Sequence, residues 1–455
     1  MAFAQDISFS QAWQILQQQN NSLAAERANV SRYQYLEDAT DNLNLPQVTV
    51  GANYTRLDRD VTLSGKQIID STGQSLPASM GPMLDPIIRQ ISNTTSTITE
   101  RDIFSSSIRA IWPIFTGGRI NAAQAAAAGR REEAQSQLAM ETQARYEDLS
   151  KYYFSVKLAQ EVLSTRQAVE AGLTQHRDNS IKLEQQGQIA RVERLQAEAS
   201  LDKAKVETRK ALKNLTIAQS ALTQILNLTS SAVPSDALFI NQHLPPLDAF
   251  VDQTLTTYPG LALLEAKQKQ ADSLMKAEKG KYYPEVYLYG DYSLYEHESL
   301  ASQMKPDWLV GVGVSIPLIE SSGRSQQVQA AHSAVAQVKY LKAQAKQDLT
   351  VLVQKSYLQA EQARDEVLGL QSSLQLADEN LRLRQKAFNQ GLSTSVDVVD
   401  AELYLASIRT QQAAARFNYL LSLTKLLALS GEMNAFDQYQ QSSLTDNELS
   451  LEDAS

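Results

Sequence analysis

The sequence predicts a mainly α-helical chain built as two tandem copies of one helix–strand–strand–helix–helix unit. Three observations carry that prediction. Distant segments repeat one another at constant offsets. Two helical stretches without proline run far beyond the length of a globular helix. Four short stretches alternate, in period two, between apolar residues and small or polar ones.

The repeat can be traced residue by residue. "LPQVTVGANYTR" (45–56) returns as "YPEVYLYGDYSL" (283–294), and Pro46 and Pro284 stand 238 apart, as do Leu23 and Leu261. Further on, "IWPIFTGGRINAAQAA" (111–126) answers "VSIPLIESSGRSQQVQAA" (314–331). Pro113 and Pro317, Tyr153 and Tyr357, and Gly187 and Gly391 all stand 204 apart. Two offsets that differ by 34 mean one insertion in the first copy, between its two strand-like segments. That insertion falls in residues 57–104, which are rich in Ser, Thr, Gly and Pro and read as a long loop with a short helix over 80–92. The expected organisation is repeat 1 over 1–230, a linker over 231–247, repeat 2 over 248–430, and a polar, acidic tail over 431–455.

Each copy opens with a helix (8–44; 248–282). Two strands follow (47–56 and 105–115; 285–295 and 307–318). A very long helix comes next (119–186; 324–389), then a glycine turn and a return helix (188–228; 392–430). Apolar residues recur along the long helices at three- and four-residue steps, as at Ala363, Val367, Leu370 and Leu374. At ~1.5 Å per residue each long helix spans about 100 Å. A return helix and an opening helix laid end to end match one long helix, so the helices are expected to run side by side as a coiled rod.

The strands have one greasy face. In "DWLVGVGVSIPL" Trp308, Val310, Val312, Val314 and Ile316 alternate with Gly311, Gly313 and Ser315, and in "PQVTVGANYT" Val48, Val50 and Tyr54 alternate with Thr49, Gly51 and Asn53. Trp112, Trp308 and several tyrosines fall near strand ends, as an interfacial aromatic belt would. A small sheet on a soluble core would alternate in the same way. If the strands cross a membrane, four of them cannot close a barrel, and several chains must share one. Pro46, Pro113, Pro284 and Pro317 mark the strand–helix junctions.

Composition narrows the function. The 455 residues carry a net charge of −9, so nucleic acid is not an expected partner. Without cysteine there is no disulfide, thiolate metal site or thiol nucleophile. Mean hydropathy is −0.32, and no apolar run reaches the ~18–20 residues of a transmembrane helix. Ala2-Phe3-Ala4 before Gln5 reads as the end of a secretory signal or as an ordinary start. The histidines at 176, 243, 297 and 332 are scattered, and His176 and Asp178 read as an exposed helix face. "GVGVSIP" contains G-x-G inside a strand, not before a helix. Neither an enzyme nor a cofactor is expected.

The chemistry worth following is at the glycine turns. "QGLSTSVDVVDAELYLA" (390–406) reads as a turn at Gly391, an N-cap at Ser393 or Thr394, and two carboxylates, Asp397 and Asp400, one helical turn apart on a shared face. Acids in a first turn complement the helix dipole; they also line a space if that face meets one.

The duplicated unit, "FTGGR" and "SSGR" at the strand-to-helix turns, and "QGQIARVE" and "QGLSTSVDVVDA" at the helix tips together resemble the TolC family of outer-membrane efflux ducts. The resemblance covers residues 8–430. It implies the non-lipidated type, as no cysteine lies near the start, and a homotrimer that forms a shared 12-stranded β-barrel in the outer-membrane lipid of a Gram-negative bacterium. Above this sits an α-helical barrel in the periplasm. The implied partners are a periplasmic adaptor (membrane fusion) protein and an inner-membrane pump or ABC exporter, for multidrug efflux or type I secretion. By the same resemblance, Asp397 and Asp400 form the ring that narrows the periplasmic entrance and favours cations. The tips Gly187, Gln188, Ile189 and Ala190, and Gly391, Leu392, Ser393 and Thr394, form the adaptor-docking surface. Family members lock the entrance with an Arg after the tip glycine and a Tyr before it. Ser393 and Phe388 stand there instead, so Arg191, Glu193 or Arg194 is expected to take part, with an arginine reaching the acidic ring or Gln385. The competing expectation is a soluble periplasmic coiled-coil scaffold or an adaptor.

Overall fold

The computed structural model describes residues 5–71, 81–319 and 321–443. In chain order the elements are β1 (Gln5–Ile7), α1 (Phe9–Gln19), α2 (Asn21–Asp41), β2 (Gln47–Arg56), β3 (Val61–Ser64), α3 (Gly65–Ser71), α4 (Gly81–Ser92), β4 (Thr95–Thr99), β5 (Asp102–Phe115), α5 (Arg119–Gln185), α6 (Arg191–Ile225) and β6 (Ala232–Pro234). The second half contains α7 (Leu247–Thr257), α8 (Pro259–Gly280), β7 (Glu285–Glu296), α9 (Leu300–Gln303), β8 (Trp308–Ser315), α10 (Arg324–Asn389), α11 (Ser395–Ser430) and α12 (Phe436–Gln441). The long helices α5 and α10 have 67 and 66 residues, without a break. The 57–104 insertion is more than a loop. It folds as the antiparallel pair β3–β4 with α3 and α4 between the strands.

Each opening helix, expected to be continuous, is broken in two. At Asn20 the backbone turns extended, and the side chain accepts from the N–H groups of Ser22 (2.9 Å) and Leu23 (3.1 Å), so it caps α2. At Tyr258 the break is made by Pro259. Proline disfavours helical geometry in the residue before it and starts a helix well itself. Asn20 and Tyr258 stand 238 apart, so the two copies break at the same place by different chemistry.

The chain forms two compact units whose boundaries fall inside helices: residues 1–34, 129–268 and 336–455 make one, and 35–128 and 269–335 the other. The first holds the main core. There Phe9 packs with Tyr146, Tyr153, Phe154 and Phe436, ring centroids 4.5–5.4 Å apart. The parallel pair β1–β6 is tied to it, as Tyr153 Oη donates to the Ile7 carbonyl (2.8 Å) and Asp236 accepts from the Phe9 N–H (2.7 Å). Leu238, Phe239 and Ile240 of the segment expected as a linker are buried here, as is Phe436 of α12. The polar tail from residue 444, Ala2-Phe3-Ala4 and residues 72–80 of the insertion lie outside the described residues.

The second unit is built on an antiparallel sheet in the order β2-β5-β7-β8, so the two copies meet at β5–β7. Between the β5–β7 irregularities at Ser106/Ser107 and Pro113/Phe115, the register puts even-numbered residues of all four strands on one face, for Val48 is opposite Ala110, Ala110 opposite Gly290, and Gly290 opposite Val310. That face is apolar and exposed, with Val50 69%, Trp308 62%, Val310 75% and Val312 64% accessible. The odd-numbered face is polar. Arg109 pairs with Asp291 at 3.2 Å, and the rings of Tyr287 and Tyr289 lie over Gly313 and Gly311.

Candidate functional site

The two helix hairpins, α5–α6 and α10–α11, end in the same turn. Gly187 and Gly391 both have φ +71°, a conformation glycine adopts without strain. Around each, the residue after the glycine donates back five residues, Gln188 to the Leu183 carbonyl and Leu392 to that of Ala387, both 2.9 Å. Each glycine N–H donates back three residues, to Glu184 and to Phe388, also at 2.9 Å. These bonds satisfy the last carbonyls of α5 and α10. Gly187, Gln188, Ala190, Gly391, Leu392 and Thr394 are exposed; Ile189 and Ser393 are partly covered.

The return helices start differently. Thr394 caps α11 in a reciprocal box. Its hydroxyl accepts from the Asp397 N–H (3.3 Å), and Asp397 Oδ2 accepts from the Thr394 N–H (2.9 Å) and hydroxyl (2.7 Å) and from the Ser393 hydroxyl (3.0 Å). The backbone and hydroxyl donors of Thr394, then that of Ser393, lower the Asp397 carboxyl to about 2, with Arg384 adding its charge. Its other oxygen, Oδ1, lies 3.5 Å from Arg384 Nη1. Asp400, one turn on, is exposed and sits at the rim of a groove of about 550 Å³ between α5, α6 and α11, beside Val169, Leu173, Lys203 and Leu403.

Helix α6 has Ala190 at its N-cap, whose side chain cannot cap. Glu193 holds the third helical position, where a carboxylate usually turns back on its own cap. Instead its Oε2 accepts from the N–H of Ser395, the first residue of α11, at 2.7 Å. One hairpin thus supplies the other with a cap, and the two tips are joined. The Ser395 hydroxyl bonds to His176 Nε2 at 2.7 Å, and the His176 ring packs on Phe388, centroids 4.5 Å apart.

Several expected residues therefore sit in other company. His176 is 6% accessible, not on an exposed face. Burial lowers it to about 4, against the pull of Glu193, while Asp178 is exposed and pairs with Arg177. Phe388 is 1% accessible and packs one hairpin on the other. Arg194 does not reach Asp397 or Gln385 within the chain. Glu184 (2.5 Å) and Glu198 (2.7 Å) hold it on its own hairpin, and the arginine beside Asp397 is Arg384. Arg191 and Gln385 are exposed.

A buried carboxyl completes the tip. Glu402 is 8% accessible and raised to about 7, first by burial, with Arg409 lowering and Asp378 raising it. It lies on α5 at Gly172, where a Cβ would stand 2.9 Å from its carboxyl atoms. His176, Arg384 and the Glu402–Gly172 contact were missed in the sequence. Two left a signal. His176 falls on the buried stripe Val169, Leu173, His176, Ser180, and Gly172 is a costly residue inside a helix unless something approaches it.

The outer membrane efflux protein family matches residues 12–228 and 250–432, one block per repeat. The chain belongs to that family: it is an outer-membrane efflux duct whose helical part lies in the periplasm. Solved channels share its fold. CusC is 16% identical, with TM-score 0.74 over 94% of this chain and 93% of its own. The open state of the MtrE outer membrane channel of Neisseria gonorrhoeae is 19% identical, with TM-score 0.72 over 93% and 89%. The CmeC outer membrane channel of Campylobacter jejuni is 12% identical, with TM-score 0.73 over 96% and 90%. No curated protein sequence matches the chain.

Proposed function

We propose that three copies of this chain close into one 12-stranded barrel and one helical tunnel, and that the tunnel accepts cargo from an inner-membrane pump or ABC exporter through a periplasmic adaptor. The observation that carries the closure is the sheet: its even face is apolar and exposed, and its outer strands β2 and β8 pair with no further strand among the described residues. Open edges are not viable in lipid, and joining β8 of one copy to β2 of the next removes them all. The β2–β5 insertion and the β7–β8 loop, tied by His297 to Glu100 at 3.0 Å, leave the sheet at the strand ends opposite its helices. With the helices in the periplasm, both face the exterior. An epitope at Ser75 is expected to be labelled on intact cells; labelling only after permeabilisation contradicts this.

The tips Gly187–Ala190 and Gly391–Thr394 are the adaptor-docking surface in this reading, supported by their matched turns and exposure. Asp397 and Asp400 line the periplasmic entrance, and Glu193, Ser395, His176 and Phe388 hold the two hairpins together behind it. Planar-bilayer recording tests the entrance. The wild type should be cation-selective and blocked by trivalent cations from the periplasmic side, and the Asp397→Ala/Asp400→Ala variant should lose both properties. Equal selectivity and block in the two proteins would leave the aspartates as a helix start only.

A further inference from the structure

The two aspartates of α11 are not equivalent. Asp397 spends Oδ2 on three donors of its own cap and presents Oδ1 to Arg384, which reaches it from the last turns of α10. Asp400 is exposed, and among the described residues it makes no hydrogen bond or ion pair. At distances beyond the pair's own separation, a carboxylate beside a guanidinium presents a dipole, whereas an unpaired carboxylate presents a full charge.

We propose that Arg384 sets the selectivity of the entrance: in each chain it neutralises Asp397, so that of the two aspartates only Asp400 presents a full charge to the passage. This rests on the reading of Asp397 and Asp400 as entrance residues and adds a residue to it. Part of the acidic sequence signal is thereby spent on the helix cap. The entrance carries half the charge its two aspartates suggest, so it repels anionic cargo and attracts cationic cargo less strongly than a doubly acidic ring would.

The charge arithmetic supplies the test. Per chain, the wild type and Arg384→Gln/Asp397→Asn both leave one uncompensated carboxylate, Arg384→Gln leaves two, and Asp400→Asn leaves none. Reversal potentials in a KCl gradient and block by hexamminecobalt(III) are read on detergent-purified protein reconstituted in planar bilayers. Arg384→Gln should be more cation-selective, with a half-blocking concentration lower by roughly tenfold. The Arg384→Gln/Asp397→Asn variant should return to wild-type values, Arg384→Lys should stay near them, and Asp400→Asn should lose selectivity and block. If Arg384→Gln behaves as wild type while Asp400→Asn loses selectivity, the compensation is overturned and the entrance reading stands. If no variant differs from wild type, both are overturned. Each variant is used only where its mass in detergent equals the wild type's, which separates charge effects from misassembly.

Discussion

Glu193 and Glu402 are carboxylates on neighbouring helices with opposite surroundings, and the hairpin tips depend on both. Glu193 accepts from the Ser395 N–H, so Glu193→Ala leaves that donor without its cap and loosens the join between hairpins. A loss of about 1 kcal/mol, typical of a lost helix cap, is expected in thermal unfolding, with a smaller loss for Glu193→Gln. His176 and Glu402 give the tip its pH response. His176 is lowered from 6.5 to about 4, so its contribution is complete above pH 6.5 and is lost as pH falls towards 4. Glu402 is raised from 4.5 to about 7, so its contribution is complete below pH 4.5 and is lost as pH rises through 7. Glu402→Gln should raise the melting temperature at pH 8 and change it little at pH 4.5, followed by circular dichroism. His176→Gln should flatten the decline between pH 6.5 and 4. A Glu402→Gln protein that melts with the wild type at pH 8 would mean the carboxyl is already hydrated. The sequence showed the aspartates because a turn glycine, a cap and two acids are local. It hid Arg384 because a contact across a hairpin depends on how two long helices are rotated, which apolar spacing sets only coarsely.

At the scale of elements, the breaks and turns are where local chemistry is most exposed to test. The length and limits of α5 and α10 were legible, since unbroken three- and four-residue spacing between a glycine turn at each end leaves little freedom. The break in each opening helix was not. Asn20 is a tolerated residue inside a helix until its side chain turns to cap α2, whereas Tyr258-Pro259 does carry a local signal, since proline reads as a helix start. The two breaks share the repeat offset of 238. Thr394→Ala removes the hydroxyl that caps α11 and one of the donors to Asp397, and should cost about 1 kcal/mol, with Thr394→Ser close to wild type. Equal melting of the alanine and serine variants would show that Glu193 alone suffices to start α11.

For the whole molecule, the period-two alternation that marks one strand face is the same alternation that assembles the sheet. Val48, Ala110, Leu288 and Val312 share a face because the register keeps even residues together across three ladders. The sequence exposed the alternation but could not say which strands were neighbours; joining β5 to β7 makes one sheet from two repeats. That face is expected to meet lipid. Val312→Arg should therefore prevent stable insertion, at a cost of about 2–4 kcal/mol near the membrane midplane, while Ser107→Arg on the opposite face should be tolerated. Outer-membrane fractions of cells expressing each variant decide the matter, and equal yields would mean the even face is not lipid-exposed. The measurement that bears most directly on the account is the mass of the purified protein by light scattering, corrected for detergent. A particle of three 50.3 kDa chains that needs detergent to stay in solution is the predicted result, and a monomer soluble without detergent would contradict the shared barrel.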